Sequence, residues 1–156
     1  PVSIPVIEYA KEIHASEQTL YRALVLANLV SIYQKVFIGK LSAYCGAVSA
    51  AAGAVSGIAW LDGESEEIIK KTIINTICTV GGMVCDGAKP SCASKVAAAL
   101  GTAILSLEMA KRGSAFSVGE GLVMDTAENT IKSIGRMASQ GMENTDNIIL
   151  QIMLGN

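Results

Sequence analysis

Aromatic side chains, histidine and charge are all scarce in this sequence. Of its 156 residues, 4% are aromatic, 17% are charged and one is a histidine. No basic run with interleaved aromatic residues occurs, so the chain lacks the electrostatic footprint that nucleic-acid binding requires. Half of the residues (51%) are apolar and 15 are glycine. Small side chains therefore take the place of aromatic ones, which favours helices whose backbones approach closely.

Disulfides and an export signal are lacking as well. Four cysteines do not make a disulfide scaffold in a chain of this length. The first ten residues contain Glu8 and no basic region, so they do not resemble a signal peptide. We therefore expect a cytoplasmic protein with reduced cysteines. Because the sequence begins at Pro1 without an initiator methionine, we expect either a processed start or a domain taken from a longer chain.

Helical spacing of apolar residues runs through most of the chain, and no convincing strand alternation occurs. Ser16 and Ser65 are good N-caps, and each is followed by glutamate in the first helical turn. The helix after Ser16 is predicted to continue to about Ile38 and to stop at Gly39. A β-branched run at residues 72–80 is the one place where a strand could occur. Further helices are predicted at about residues 5–13, 92–112, 126–139 and 147–154.

An uncharged stretch of 21 residues, Leu41 to Leu61, is rich in alanine, glycine and serine. Its length would allow a membrane span, but large aliphatic residues are few, so we predict no membrane association. We expect a buried helix, or two short helices broken near Gly53 or Gly57. The predicted fold is all-α: one domain over residues 1–156, a compact multi-helix bundle around this glycine- and alanine-rich central helix.

Three of the cysteines lie in surroundings typical of a metal or iron–sulfur site. Cys85 and Cys92 flank a loop that contains glycine and proline, and Cys45 lies upstream in a glycine-rich stretch. Glycine lets the backbone approach a cluster closely, and three thiolates would leave one iron open to a substrate. The alternative is a set of inert core thiols. Cys78, in an apolar helical stretch, fits that alternative best.

Four polar residues near the cysteines are candidates for substrate binding. Ser42 lies one helical turn from Cys45 and could face a cluster, or it could pack at a close helix contact. Lys89 could meet a substrate carboxylate or offset the charge of a cluster, or be a solvated loop residue. Asn75 and Thr76 could bind a substrate carboxylate, or they could satisfy neighbouring backbone groups inside the bundle.

The same stretches carry a family resemblance over nearly the whole chain. The segments Lys40-Leu-Ser-Ala-Tyr-Cys-Gly46 and Val84-Cys-Asp-Gly-Ala-Lys-Pro-Ser-Cys-Ala93 closely resemble the L-cysteine desulfidase group. The dipeptide Asn75-Thr76 and the segments 119–121 and 134–146 are similar to that group too. The group, also called the UPF0597 type, is related to the iron–sulfur L-serine dehydratase alpha chain.

This resemblance implies a lyase that uses a [4Fe-4S] cluster and no pyridoxal phosphate. Such an enzyme converts L-cysteine to pyruvate, ammonia and hydrogen sulfide, or L-serine to pyruvate and ammonia. The resemblance makes Cys45, Cys85 and Cys92 the cluster ligands and assigns no ligand role to Cys78. The open iron would bind the substrate's carboxylate and its β-hydroxyl or thiol.

The resemblance also implies partners, because chains of this family are much longer and carry a glycine- and asparagine-rich substrate loop upstream of the matching region. We therefore expect this chain to be the C-terminal, cluster-bearing domain of a larger enzyme. Its expected partners are a small amino-acid substrate, the N-terminal part of the same enzyme and a second copy in a homodimer, with no nucleic acid or membrane. The alternative function is a non-catalytic helical module for interaction or oligomerisation with a degenerate cluster site.

Overall fold

The computed structural model describes residues 1–155, and they form an all-α fold, as predicted. The elements of this region are α1 (Ser3–Glu12), α2 (Glu17–Ile38), α3 (Gly46–Leu61), α4 (Glu66–Val80), α5 (Cys92–Lys111), α6 (Ala127–Arg136), a π-helical segment (Met137–Gly141) and α7 (Glu143–Leu154). Between residues 1 and 155, extended backbone pairs only at one isolated antiparallel bridge, Tyr44 with Val84. The β-branched run at residues 72–80, the one place where a strand could occur, is helical and belongs to α4.

The bundle is organised around α3. Every residue from Val48 to Ala59 is buried, and α3 packs against α1, α2, α4 and α5. The predicted central helix is therefore confirmed. Of the two alternatives considered, the single buried helix forms, and the two short helices broken near Gly53 or Gly57 do not. The uncharged composition of this stretch follows from its burial on all sides, since a charge there would have no partner in the core.

Glycine in α3 allows α2 to approach closely. A Cβ atom added at Gly57 would lie 2.9 Å from the carbonyl oxygen of Ala23. At Gly53 it would fall well inside contact distance of the Ala27 carbonyl oxygen and of Ser31 Oγ. Because those contacts include backbone atoms, neither position has room for a side chain at the present helix spacing. Small residues in place of aromatic ones thus allow α2 and α3 to pack closely.

Helix starts follow the predicted caps. The hydroxyl of Ser16 accepts a hydrogen bond from Thr19 N at 3.2 Å, and that of Ser65 accepts one from Ile68 N at 3.3 Å. Thr126 caps α6 in the same way. The last helix begins at residue 143, four residues earlier than predicted.

By length and composition alone, α5 is the one helix within residues 1–155 that would suffice to cross a membrane, with a mean hydropathy of 1.3. Core helices of other proteins meet the same criterion, and α5 packs along α3 and α4. The stretch that raised the question in the sequence, Leu41 to Leu61, forms the shorter, buried α3.

Candidate cysteine site

Two of the three candidate cysteines lie on chain segments that pair with each other. The antiparallel bridge between Tyr44 and Val84 aligns the segments just before Cys45 and Cys85. On either side of it, Cys45 N donates to Met83 O at 3.0 Å, and Cys85 N donates to Ala43 O at 2.6 Å. Backbone hydrogen bonds therefore bring together two cysteines that are far apart in sequence.

The third cysteine is the first residue of α5, and a tight turn leads to it. Gly87 has a φ of +91°, a left-handed conformation that favours glycine. The Cys92 thiol donates to the Gly87 carbonyl oxygen at 3.4 Å, and Cys92 N donates to Lys89 O at 2.9 Å. The loop thus folds back on itself, which agrees with the predicted turn between the two cysteines.

A lysine on α5 connects these segments. Lys95 Nζ donates to the carbonyl oxygen of Val84 at 2.9 Å and forms an ion pair with Asp86. Its side chain is only 22% exposed. The hydrogen bond to Asp86 raises the pKa of Lys95, and negative charge on Cys45 and Cys92 acts in the same direction. One ammonium therefore joins the start of α5, one helical turn after Cys92, to the segment that carries Cys85.

Lys89 contacts the same carboxylate from the other side of the loop. Its Nζ lies 2.5 Å from Asp86 Oδ2, and its side chain is 44% exposed. The hydrogen bonds from Lys89 and Lys95 lower the pKa of Asp86 to about 2. Asp86 is therefore ionised at neutral pH, and the three charged groups together carry one net positive charge beside the cysteines.

The electrostatic setting of the thiols favours negative charge. Cys45 is the N-cap residue of α3 and Cys92 opens α5, and helix N-termini stabilise thiolates. All three cysteines are free thiols; Cys45 is buried, and Cys85 and Cys92 are half-buried.

No three side chains of His, Cys, Asp or Glu within residues 1–155 are placed to hold a single metal ion. In an iron–sulfur cluster each thiolate binds a different iron, so its ligands need not converge on one point.

The fourth thiol differs from the others. Cys78 lies on α4, against a core cluster that includes Ile77 and Ile134. Burial raises the pKa of Cys78 to about 11. Such a thiol stays protonated at neutral pH, which makes it a poor metal ligand and a poor nucleophile.

Of the predicted substrate-binding residues, Ser42 and Lys89 lie beside the cysteines and Asn75 lies far from Cys92. Ser42 Oγ donates to Ala138 O at 2.7 Å and accepts from Tyr44 N at 3.0 Å. Asn75 is fully buried, and its amide lies 3.5 Å from the carbonyl oxygen of Ser106. Ser106 is 14 residues past the start of α5, which is roughly 21 Å along the helix axis.

Asn75 and Thr76 both satisfy backbone groups inside the bundle. The Asn75 side chain accepts from Phe116 N at 3.0 Å and donates to Ser114 O at 3.1 Å. Thr76 Oγ1, also fully buried, donates to Thr72 O at 2.7 Å. In this arrangement both side chains satisfy neighbouring backbone groups, which is the alternative to substrate binding that the sequence left open.

Sequence reasoning missed Lys95 and Tyr44. Lys95 follows Cys92 by three residues, a spacing that places both on one helix face, so its position was accessible once the helix start was known. Tyr44 is 2% exposed, and its hydroxyl has no hydrogen-bond partner within residues 1–155. Burial is the main cause that raises the pKa of Tyr44, and negative charge on Cys78 and Cys45 adds to it.

A cavity of about 510 Å³ opens beside Cys85. Its lining includes the side chains of two cations, Lys35 and Lys40, and one acid, Asp146. Ser42 and Tyr44 contribute to the same wall. The cavity therefore combines both signs of charge with one of the candidate cysteines.

Comparison with known proteins places this chain among a group of longer ones. The family model described as "Serine dehydratase alpha chain" matches residues 2–151. A UPF0597 protein of Treponema denticola is 50% identical over 153 residues, which cover 98% of this chain and 36% of the relative. One from Lachnoclostridium phytofermentans is 51% identical, with 98% and 37% covered. One from Bacteroides fragilis is 43% identical over 151 residues, with 97% and 35% covered.

These relatives are nearly three times as long as the region they share with this chain, which spans 35–37% of their length. No solved structure matches the chain significantly. The family match extends over residues 2–151, and the Treponema denticola UPF0597 protein is 50% identical over 98% of the chain. The chain therefore belongs to the serine dehydratase alpha-chain family, within its UPF0597 group.

Proposed function

We propose that residues 1–156 form one helical domain of a cytoplasmic, serine dehydratase-like lyase, and that Cys45, Cys85 and Cys92 hold its [4Fe-4S] cluster. The observation that supports this most directly is the junction of three separate cysteine segments. The Tyr44–Val84 bridge joins the first two, and Lys95 links the second of them, the Cys85 segment, to the start of α5. Reduced thiols, as all four are here, are typical of cytoplasmic proteins.

The donor set fits a cluster in three respects. Three thiols are available, two of them at helix N-termini that favour negative charge. The ammonium of Lys95 offsets the charge of thiolates and sulfides. Tyr44, the residue before Cys45, has a buried hydroxyl with no acceptor within residues 1–155, and an anionic sulfur group would supply one. When bound, such a cluster with three protein ligands supplies a Lewis-acidic iron that polarises a substrate oxygen or sulfur.

The substrate we propose is a small amino acid, L-cysteine or L-serine, bound in the cavity beside Cys85. Lys35 and Lys40 carry the charge that pairs with a carboxylate, and Asp146 the charge that pairs with an ammonium group. Ser42 lines the same cavity, and Lys89 pairs with Asp86, the residue after Cys85. Elimination removes the Cα proton and the β-substituent as water or hydrogen sulfide. Hydrolysis of the resulting enamine then yields pyruvate and ammonia.

Anaerobic reconstitution with iron and sulfide tests the ligand assignment. We expect the wild-type protein to take up iron and sulfide with visible charge-transfer absorption, and Cys45→Ser, Cys85→Ser and Cys92→Ser each to impair that uptake. Cys78→Ser is the matched control and should load like the wild type. A colourless wild-type protein in which Cys45, Cys85 and Cys92 still react freely after reconstitution would overturn the cluster proposal.

Activity is a separate test. The loaded protein, joined to the remaining part of the Treponema denticola relative, should release pyruvate from one of the two amino acids. Lys40→Met and Asp146→Asn should raise KM, because each removes a charge that pairs with the substrate. Unchanged KM values in both variants would exclude this cavity as the substrate site while leaving the cluster assignment intact.

A second candidate function, an interaction module, is supported by the outer face of α2. Five apolar residues at helical spacing are 56–68% exposed there: Tyr21, Val25, Leu29, Ile32 and Val36. Beside them runs an apolar groove of about 800 Å³ between α2, α4 and α6. Contiguous exposed apolar surface of this kind marks an interaction site. Because the relatives continue well beyond the shared region, we propose that the rest of the enzyme covers this face.

Co-expression with the remaining part of the Treponema denticola relative tests this surface. We expect the two pieces to co-purify, and the double variant Leu29→Glu, Val36→Glu to weaken the complex. Lys132→Glu, on α6, is a charge-change control outside this face. If the double variant binds as well as the wild type, the rest of the enzyme does not cover α2. A concentration-dependent dimer of the chain alone that the variant abolishes would instead assign the face to a second copy.

A further inference from the structure

We propose that Lys95 is the positioning residue of the cysteine site, where it fixes the Cys85 segment to the start of α5 and supplies the least exposed positive charge beside the thiols. The part of this inference that concerns the cluster rests on the proposed function. The part that concerns the loop does not, since the contacts of Lys95 that carry it are with Val84 and Asp86 of the chain itself.

The geometry singles out Lys95 as the connection between the three segments. It lies one helical turn after Cys92, so both side chains are on the same face of α5. Its Nζ contacts Val84 O at 2.9 Å, just before Cys85, and the Asp86 carboxylate, just after it. Val84 is also the residue that pairs with Tyr44, next to Cys45. A single ammonium therefore contacts the backbone carbonyl before Cys85 and the side-chain carboxylate after it, and the Tyr44–Val84 bridge connects that segment to the residue before Cys45.

Burial distinguishes Lys95 from the other cation of the loop. Its side chain is 22% exposed, against 44% for Lys89, although both pair with Asp86. Solvent and salt screen a charge less as it becomes less exposed. The charge of Lys95 should therefore act more strongly on a group held by the thiols than the charge of Lys89.

A positive charge near a cluster has a measurable signature. One-electron reduction adds negative charge, so a neighbouring cation stabilises the reduced form and raises the reduction potential, and a neighbouring anion lowers it. Lys95→Met should therefore lower the potential, whereas Asp86→Asn should raise it. A purely structural role predicts no such opposition, because both substitutions break the same ion pair and loosen the same loop.

The experiment compares Lys95→Met, Lys95→Arg and Asp86→Asn with the wild type by dye-mediated redox titration of the reconstituted protein. We expect a lower midpoint potential for Lys95→Met, a higher one for Asp86→Asn, and a value near the wild type for Lys95→Arg. Lys71→Met is the matched control, because Lys71 also forms an ion pair, with Glu67 at 2.6 Å on α4, and it should leave the potential unchanged. Potentials that are equal in all variants, or that shift the same way in Lys95→Met and Asp86→Asn, would overturn the charge role.

Hydrogen exchange of the protein without iron tests the positioning role independently. The Cys85 amide donates to Ala43 O at 2.6 Å and should be protected in the wild type. Lys95→Met should speed exchange across residues 83–92 and leave α3 unaffected, and Lys95→Arg should restore protection. Unchanged exchange in Lys95→Met would overturn the positioning role. If the wild type takes up no iron and sulfide, the proposed function and the charge role both fail, and hydrogen exchange still decides whether Lys95 positions the loop.

Discussion

Substitution of Gly53 by alanine probes the closest approach in the bundle. Gly53 lies in the middle of α3 and faces α2. An added methyl group would lie inside contact distance of the Ala27 carbonyl oxygen and Ser31 Oγ, and 3.2 Å from Ser31 Cβ. A serine hydroxyl can rotate away, but a backbone carbonyl held in α2 cannot. We therefore expect α2 and α3 to separate locally in this variant.

The magnitude follows from three contributions. Overpacking of a core costs about 1–3 kcal/mol, and the upper end applies because the obstacle is backbone. Ser31 Oγ also donates to Ser49 O at 3.1 Å, and loss of that hydrogen bond adds about 1 kcal/mol. Alanine is favoured over glycine inside a helix by about 1 kcal/mol, which offsets part of the cost. The free energy of unfolding should fall by about 3 kcal/mol.

Gly101 provides the control. It lies within α5, and a Cβ atom added there meets nothing within 4 Å. Gly101→Ala should therefore raise the free energy of unfolding by about 0.5–1 kcal/mol, through helix propensity alone. The same chemical change is thus expected to have opposite signs at two positions.

Urea unfolding followed by circular dichroism measures both variants, with the free energy obtained by linear extrapolation. The transition midpoint should move to lower urea for Gly53→Ala and to higher urea for Gly101→Ala. If Gly53→Ala proves as stable as the wild type, α2 and α3 are not in contact through this glycine, and the explanation of the small-residue composition fails.

Three further predictions concern a helix cap, a thiol and a buried amide. Ser65→Ala should lower the free energy of unfolding by about 1 kcal/mol because it removes the cap of α4. Ser91→Ala is the control, since the Ser91 side chain makes no cap bond to α5. Equal effects of the two substitutions in urea unfolding would contradict the assignment of Ser65 as a stabilising cap. Cys78, with a pKa near 11 instead of 9.0, should react with iodoacetamide about 100-fold more slowly than an ordinary thiol at pH 8, as followed by mass spectrometry. Because the unfolded thiol ionises first, the contribution of Cys78 to stability should be complete below pH 9 and decrease between about pH 9 and 11; rapid alkylation of the folded protein would show that the partial burial of Cys78 does not suppress its ionisation. Asn75→Ala leaves Phe116 N without its partner and should cost about 2–3 kcal/mol in urea unfolding, whereas a change below about 0.5 kcal/mol would show that the amide is dispensable.

Local signals predicted the helical elements well where a cap or a stop residue is present. Ser16 and Ser65 each begin the helix expected of them, and α2 ends at Ile38, before Gly39. The run at 72–80 was ambiguous because β-branched residues suit strands as well as buried helix faces. It is helical because α4 begins at a strong cap and continues through it. The last helix begins four residues before its predicted start because its N-cap residue, Met142, makes no side-chain cap bond that the sequence could signal.

For the candidate site, the sequence predicted which cysteines to consider and the turn that joins two of them. Gly87 adopts the left-handed conformation that such a turn needs. For Asn75 and Thr76, the sequence allowed either substrate binding or the pairing of neighbouring backbone groups. In the structure, both side chains form hydrogen bonds with backbone groups within the bundle. Lys89 stood out because it lies between two cysteines. The helical spacing places Lys95 on the same face as Cys92, but its contacts with Val84 and Asp86 depend on how α5 packs beside the loop.

The sequence by itself determined the all-α class, the central small-residue helix, the family and the distinction between Cys78 and the other thiols, because these depend on composition, periodicity and local motifs. Only the tertiary structure decided that Cys45 and Cys85 lie on paired segments, that Lys95 joins the Cys85 segment to α5, and that α2 presents an apolar outer face. The physical reason is that pairing across long sequence separations depends on how helices pack and on which side chains that packing buries, and neither is encoded in any single stretch of the chain.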